Sequence, residues 1–145
     1  MEMQFTLAAG GDGITVELLA YENRVPENEN DANWLDSVVK IRAGPFSGAF
    51  KAALTTYDLA SLHQQLQKAL ASLSGTVNFK STEEGLSLTV QFDRAGRASV
   101  VGVAQPRRSQ AALHFRLDTD QSALTRTLCE VEAVLRGFPV RAVHA

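Results

Sequence analysis

The chain has 145 residues, of which 45% are hydrophobic and 21% charged, a composition typical of a globular protein. Sixteen acidic and fourteen basic residues give a formal net charge of -2, whereas domains that bind nucleic acid usually carry a basic stripe. Nucleic acid is therefore not expected as a partner. At this length we expect a single domain covering residues 1–145, whose folding buries roughly two-thirds of the unfolded chain's surface.

Three further features indicate the cellular compartment. The one cysteine, Cys129, has no partner for an internal disulfide, which is typical of a reducing compartment. The first residues lack the basic and apolar segments of a signal peptide. The longest uncharged run, between Lys68 and Lys80, is shorter than the ~20 residues that a membrane helix needs. We therefore expect a cytoplasmic protein without a membrane span.

The chain begins with two short predicted strands, at residues 3–7 and 14–20, which flank a glycine-rich turn. Residues 21–33 are the most polar stretch of the chain, and their proline and four asparagines favour a loop over any regular element. Too few residues precede this loop to form a separate core. We therefore expect it to be an exposed connection within the domain.

Residues 34–54 predict a β-hairpin. Apolar residues share one parity up to Gly44-Pro45, and a second apolar series with one parity runs from Phe46 to Leu54. Each strand of the hairpin is therefore expected to bury one face. Glycine followed by proline suits a type II′ turn, because the first central residue of that turn needs a positive φ and the second a negative φ.

The period of the apolar residues then changes to that of a helix, which opens at Thr55 and contains leucines mostly three or four residues apart. Thr55 and Asp58 match a capping box, and Ser74-Gly75 favours the end of the helix. Alternating patterns then predict further strands at residues 77–79, 86–92, 98–104 and 111–117.

The last predicted element is a second amphipathic helix, capped by Asp118 and Gln121 and ended by Arg136-Gly137 before Pro139. Consecutive hairpins with two such helices predict an α+β fold, in which an antiparallel β-sheet of about seven to eight strands packs against two amphipathic helices. The order of strands, helix and glycine occurs twice. Without sustained identity between the two segments, we do not assign a sequence repeat.

A catalytic base in hydrolases and transferases is most often a histidine. His63 lies on the first predicted helix, His114 on the wet face of a strand, and His144 beside the last residue. Because these three residues are not clustered, solvated or packing roles are favoured over catalysis. An enzyme would require His114, Asp118 and a hydroxyl group to converge in one closed pocket.

Other reactive groups are equally sparse. Cys129 follows Leu128 near the apolar stripe of the second helix, which predicts a small buried hydrophobe rather than a reactive thiol. The glycine-rich turn lacks the known phosphate-binding patterns. The acidic stretch before Trp34 lacks the central glycine and the closing glutamate of an EF-hand loop. We therefore predict no catalytic residue, no metal site and no cofactor.

The acidic residues Glu27, Glu29 and Asp31 come shortly before Trp34, the only tryptophan of the chain. A tryptophan beside carboxylates is typical of a patch that binds a basic partner, since tryptophan is enriched at interface hot spots and carboxylates steer cations. The alternative is that Trp34 covers the edge of the core and the carboxylates are only hydrated. If Trp34 belongs to the strand that follows, its parity places it on the wetter face.

Several short motifs follow one another in a distinctive order. They are DANWL at residues 31–35, an alternating strand that ends in Ala43-Gly44, FSGAF from Phe46, a leucine-rich helix from Thr55, and AVLRGFP at residues 133–139. This order resembles the WapI-type immunity protein family of bacteria. The likeness extends from about Gly13 to Pro139 and consists of structural residues rather than a catalytic signature.

The resemblance implies a cytoplasmic protein, not an enzyme, that binds the toxin domain of a polymorphic or contact-dependent bacterial toxin and neutralises it. It implies no catalytic residue and no cofactor. The alternative hypothesis is a structural or regulatory module that joins a larger bacterial assembly through an exposed strand edge. The sequence identifies neither the toxin nor the contact residues, the strand order or the oligomeric state.

Overall fold

Two four-stranded antiparallel sheets contain the strands in the computed structural model, which describes residues 3–23, 26–83 and 85–142. Each strand pairs with its neighbour in sequence, so that each sheet is a meander. The strands of the first sheet are β1 (Gln4–Ala9), β2 (Asp12–Tyr21), β3 (Trp34–Ala43) and β4 (Phe46–Thr55). Those of the second are β5 (Thr76–Lys80), β6 (Leu86–Phe92), β7 (Arg97–Ala104) and β8 (Leu113–Asp120).

Each sheet is followed by a long helix. Helix α2 (Thr56–Ser72) follows β4, and helix α3 (Gln121–Gly137) follows β8. A short helix, α1 (Glu29–Ala32), lies within the polar stretch where only a loop was predicted. The α+β prediction with about seven to eight antiparallel strands and two amphipathic helices is confirmed. The division of the strands between two sheets is a feature that the sequence did not indicate.

The two long helices pack across the molecule rather than only on their own sheets. Helix α3 contacts β1, helix α2 contacts β5, and the two helices contact each other. One buried hydrophobic cluster therefore includes residues of both sheets and both helices. Its helical members include Leu59, Leu62 and Leu66 of α2, and Leu124, Val131 and Val134 of α3. Each half of the chain thus buries its apolar surface against the other half.

The hairpin of β3 and β4 forms as predicted, with one difference in burial. Gly44 has φ of +59°, and the two-residue turn pairs Ala43 with Phe46, consistent with the type II′ prediction. The alternating pattern buries one face of β3, but the first four residues of β4 are exposed and Phe46 is 63% exposed. Strand β4 lies at the edge of its sheet, and only its last two residues, beside the start of α2, are buried.

The predicted capping box of α2 is confirmed. Thr55 is the N-cap: its Oγ1 accepts a hydrogen bond from the Asp58 N–H at 3.1 Å, and Asp58 Oδ2 accepts one from the Thr55 N–H at 2.9 Å. These two bonds satisfy backbone donors that the first turn of a helix leaves free. The helix ends at Leu73, which adopts a left-handed conformation with φ of +50° two residues before Gly75.

The predicted cap of α3 is wrong by two residues. The N-cap is Asp120, whose Oδ1 accepts a hydrogen bond from the Ala123 N–H at 2.8 Å. Asp118 instead remains in β8, because the ladder between β7 and β8 continues to the pair formed by Arg97 and Asp120. The predicted end of the helix at Gly137 is confirmed.

The prediction that Cys129 is buried is also wrong, since its thiol is free and exposed. Helix α3 buries Leu124, Thr127, Val131 and Val134, which lie on one stripe. At 100° per residue, Cys129 falls on nearly the opposite side of the helix from that stripe. Its neighbour Leu128 lies at the border of the stripe and is half-buried.

A buried glycine in β7 allows the second sheet to pack closely. A Cβ atom at Gly102 would lie 2.5 Å from Phe115 Cζ and 2.7 Å from Leu88 Cδ2, far inside van der Waals contact. We therefore expect Gly102→Ala to lower the free energy of unfolding by about 1–3 kcal/mol, measured by urea denaturation. Gly48→Ala is the control, because a Cβ atom there meets nothing within 4 Å. Equal stability of the two variants would contradict this account of the packing.

Candidate functional site

The described histidines occupy separate places. His63 Nε2 lies 3.0 Å from Glu132 Oε1 and joins α2 to α3, which is a packing role. His114 is exposed on the outer face of β8, as the strand parity predicted. His144 lies outside the described residues. The structure therefore does not place the described histidines close to each other.

The arrangement that an enzyme would require is not present among the described residues. His114 and Asp118 lie four residues apart on β8, which separates their Cα atoms by about 13 Å. Asp118 lines an open cleft of about 460 Å³ with Arg97 and Arg116, and His114 does not line it. In the same part of the chain, no group of three or more His, Cys, Asp or Glu side chains is placed to hold a metal ion. None of the described helices is long and apolar enough to cross a lipid bilayer.

The acidic stretch forms an ordered turn. Asn28 Oδ1 accepts a hydrogen bond from the Asp31 N–H at 2.9 Å, which caps α1. Glu27 is exposed and Asp31 is half-buried. Glu29 begins α1, and its side chain lies outside what the structure describes. Among the described carboxylates of this stretch, the one of Glu27 is therefore the most accessible to a partner.

Trp34 is the first residue of β3 and lies on the same face as Asp36. The residue opposite it on the neighbouring chain segment is Glu22, whose N–H donates to the Trp34 carbonyl at 2.8 Å. Trp34 is half-buried, whereas Asp36 and Glu22 are exposed. This agrees with the prediction that strand parity places Trp34 on the wetter face, where it is flanked by two acidic residues.

The position of this face depends on a buried asparagine. Asn33 is 0% exposed. Its Oδ1 accepts hydrogen bonds from Thr56 Oγ1 at 2.5 Å and from the Arg141 N–H at 2.8 Å, and its Nδ2 donates to the Arg141 carbonyl at 2.8 Å. The Asn33 carbonyl also accepts from the Thr56 N–H at 2.9 Å. One side chain therefore joins the loop before β3, the start of α2 and the C-terminal segment.

The side chain of Arg141 strengthens the same junction. Its Nε donates to the Ala32 carbonyl at 2.8 Å, and its Nη2 donates to the Asn23 carbonyl at 3.1 Å. Its guanidinium carbon lies 3.6 Å from the centre of the Tyr21 ring, within the range of a cation–π contact. Tyr21 in turn donates its hydroxyl hydrogen to the Pro139 carbonyl. The loop is thus fastened at both ends to the segment after α3.

A β-bulge brings an apolar side chain onto the same face. The register of β2 with β3 shifts between Leu18 and Ala20, and the intervening Leu19 is 56% exposed while Leu18 is buried. Bulges often redirect side chains at functional sites. Leu19 lines an open groove of about 350 Å³ that runs beside β4. Its other walls include Glu22, Asp36 and Lys51.

Two residues of the second half of the chain close one side of this groove. Arg107 Nη1 lies 2.7 Å from Glu83 Oε1, so the charges of these two residues compensate each other. The groove itself retains the carboxylates of Glu22 and Asp36 and the ammonium group of Lys51. The net charge of the residues that line the groove is therefore slightly negative.

We call the residues Leu19, Glu22, Trp34, Asp36 and Lys51 the Leu19 surface. Sequence reasoning found Trp34 and the acidic stretch but missed the other members of this set. The available signal was the adjacent pair Leu18-Leu19 in an otherwise alternating strand. Only one of two adjacent residues faces the core in a regular strand, so the second leucine has to face solvent or lie at a bulge.

Comparison with known proteins gives a family and a similar fold. A family model described as the immunity protein WapI-like family matches residues 5–139. No curated protein matches the chain. Among solved structures, the chain is similar to that of the plant transcriptional regulator PBF-2, with a TM-score of 0.54 and 11% identity over 97% of this chain and 82% of that one. At this identity the likeness concerns the fold alone.

The environment of Tyr21 generates a prediction about pH. Burial raises the pKa of Tyr21 above its usual 10.0, and the charge of Arg141 opposes that increase. The folded state therefore holds the phenol proton more tightly than the unfolded state does, and this contribution to stability is complete below about pH 10 and lost as the pH rises through the raised pKa. We expect the free energy of unfolding to fall more steeply above about pH 10 in the parent than in Tyr21→Phe.

Urea denaturation of both proteins at a series of alkaline pH values measures this difference. Parallel curves for the two proteins would show that the Tyr21 hydroxyl adds nothing to the alkaline sensitivity.

Proposed function

We propose, from the premise that this chain belongs to the WapI-like immunity protein family, that it binds the toxin domain of a bacterial toxin and neutralises it. Family membership over residues 5–139 is the observation that carries the proposal. The family implies a protein partner in general terms. We propose more specifically that this partner is one cognate toxin domain. Neutralisation in the cytoplasm of the cell that makes the protein is part of the same proposal.

The proposed mechanism is stoichiometric binding rather than catalysis. His63 is engaged with Glu132, and His114 stands alone on an open sheet face. A binding protein needs no such groups to converge, since it inhibits by covering the toxin's active cleft. To cover that cleft, the protein needs instead a rigid surface with apolar contacts and a charge opposite to that of the cleft.

We propose that the Leu19 surface and the adjoining acidic stretch make this contact. Leu19 and Trp34 offer apolar area, the carboxylates of Glu22 and Asp36 flank it, and Glu27 is exposed in the acidic stretch before Trp34. A toxin that attacks nucleic acid holds phosphate groups with basic residues, and carboxylates placed in that cleft replace the phosphates electrostatically. The family's general role and the acidic character of this face support the assignment together.

The junction at Asn33 favours binding by this face. The hydrogen bonds of Asn33 and Arg141 fix the described ends of the loop, at Asn23 and at Ala32, before any partner arrives. A surface that is ordered in advance loses less conformational entropy on association. We therefore propose that the loop binds as a preformed element rather than folding on its partner.

A competition experiment tests the proposed function. Cells of the source bacterium that lack this gene are mixed with their parent, and survival is followed with and without a plasmid copy of the gene. Immunity predicts that the deletion strain is lost and that the plasmid rescues it. Equal survival under conditions in which contact toxins are expressed would refute immunity and favour a structural or regulatory module instead.

The acidic stretch gives a second prediction. We expect the triple variant Glu27→Gln, Glu29→Gln, Asp31→Asn to associate several-fold more slowly with the toxin domain at low salt, and to lose most of its salt dependence, because long-range attraction to a basic cleft is removed. Association rates at low and high salt measure this effect, and circular dichroism verifies folding.

A single-site pair provides the matched control for that experiment. Glu27→Gln and Asp118→Asn each remove one exposed carboxylate, the first in the acidic stretch before Trp34 and the second on β8. The proposal requires that Glu27→Gln slows association more than Asp118→Asn does. Equal effects would indicate that only the net charge matters and would remove the acidic stretch from the interface.

A further inference from the structure

The backbone of strand β1, at one edge of the first sheet, is covered by polar side chains of a helix. The Thr6 N–H donates to Glu130 Oε1 at 3.1 Å, and the Thr6 carbonyl accepts from Thr127 Oγ1 at 2.6 Å. Both helical residues belong to α3. A strand whose outward peptide groups are bonded in this way is closed to pairing with another chain.

The edge at β5 is closed by the same device. Gln65 of α2 donates from Nε2 to the Asn78 carbonyl at 2.8 Å, and its Oε1 accepts from the Asn78 N–H at 2.8 Å. The side-chain amide thus takes the place that the peptide group of a further strand would occupy. Each long helix guards the first strand of the other half of the chain.

The edge at β8 is protected by charge. Its outward-facing residues His114, Arg116, Asp118 and Asp120 are all exposed, and the strand also contacts β1 and β3. Alternating charged residues are a common defence of exposed strand edges against pairing with other chains.

The first part of strand β4 lacks each of these protections. Its ten residues keep an unbroken register with β3, contain no proline and include one charged residue, Lys51. Its first four residues are exposed, and Phe46 at its start is 63% exposed. Among the described residues, no helix side chain bonds to the backbone between Phe46 and Ala53. The edge is therefore open where β4 begins, and towards Ala53 it is flanked by Glu83 and Arg107.

The register identifies which peptide groups point outward. In a hairpin with a two-residue turn, the two residues that flank the turn form a hydrogen-bonded pair. Hydrogen-bonded pairs then alternate with pairs whose N–H and C=O groups point away from the partner strand. Ser47, Ala49 and Lys51 therefore direct their N–H and C=O groups out of the sheet.

Two contacts agree with this assignment. Ser37 of β3 reaches the Ala52 carbonyl at 2.7 Å, so the carbonyl of Ala52 faces β3. The N–H of Thr55, which has the same parity as Lys51, donates to the Asp58 carboxylate rather than to β3.

We propose that the open edge of β4 pairs with an extended strand of the toxin domain, an inference that rests on the proposed function. Strand addition of this kind obtains its affinity from main-chain hydrogen bonds and its specificity from alternate side chains. The outward peptide groups of Ser47, Ala49 and Lys51 bind the added strand, and the exposed ring of Phe46 packs against one of its apolar residues.

The charges beside β4 define the added strand further. Asp36 is the β3 partner of Ala53, and both residues line the groove that Glu83 and Arg107 close on one side. A lysine or arginine side chain of the added strand that enters this groove brings a cation to Asp36 and Glu22. The added strand therefore carries a basic residue that faces the groove.

A second copy of this chain fits the edge less well than a toxin strand does. Symmetric antiparallel pairing centred on Ala49 places Lys51 of one copy opposite Ser47 of the other. In that register neither copy brings a cation to Asp36 or Glu22. The carboxylates of the groove would then remain without a partner, whereas a basic toxin strand neutralises them.

The test replaces one outward N–H. Ala49→Pro removes the donor that the added strand needs, and proline is tolerated at edge positions whose N–H faces solvent. Ala49→Val is the matched control, because it keeps the N–H and favours strand conformation. Both variants are expressed from the complementing plasmid in the competition experiment, and both are purified for affinity measurements with the toxin domain. Ser47→Pro replaces Ala49→Pro if the latter fails to fold.

Strand addition predicts that Ala49→Pro loses protection and binds the toxin at least ~10-fold more weakly, whereas Ala49→Val remains within about twofold of the parent. Equal protection by all three folded proteins would overturn the role of β4 while leaving the proposed function intact. Failure of the parent itself to protect would refute the proposed function, and the assignment of the strand with it. A parent dimer that Ala49→Pro converts to a monomer, measured by light scattering, would assign the edge to a second copy.

Discussion

The arrangement of the Leu19 surface depends on the hydrogen bonds of one buried side chain, that of Asn33. It bonds the start of α2 through Thr56 and the C-terminal segment through Arg141. Removal of such a side chain would leave several buried donors and acceptors unpaired, at about 1–3 kcal/mol for each. Because Trp34 is the next residue, the same bonds set where β3 begins and which side chains it presents to a partner.

The two halves of the chain have the same order of elements but different surfaces. Each long helix crosses to the other half and bonds the backbone of its first strand, at Thr6 through α3 and at Asn78 through α2. This exchange joins the halves and closes two strand edges at once. The other two sheet edges, at β8 and β4, differ in charge. Strand β8 carries exposed His, Arg and Asp side chains, whereas β4 is nearly uncharged. Of the strand edges in the described residues, only the first part of β4 therefore combines an open backbone with an adjoining acidic groove.

The sequence by itself determined the features that depend on residues close together in the chain. The capping box of Thr55 and Asp58, the Gly44-Pro45 turn and the alternation of residues 86–92 act over a few residues, so their signals are readable without a partner element. The outward parity of Trp34 follows from the same kind of pattern. The short motifs of the sequence also indicated the immunity protein family, because the order of motifs along the chain is itself a property of the sequence.

Tertiary structure alone decided the features that depend on which element lies alongside another. Phe46 is exposed because β4 lies at a sheet edge, and Cys129 because it lies opposite the buried stripe of α3. Leu19 faces the groove because a bulge shifts the register of β2 against β3. The bond between Asn33 and Arg141 joins residues 108 positions apart. No periodicity marks such contacts, since they form only where the packing of both halves brings distant residues together.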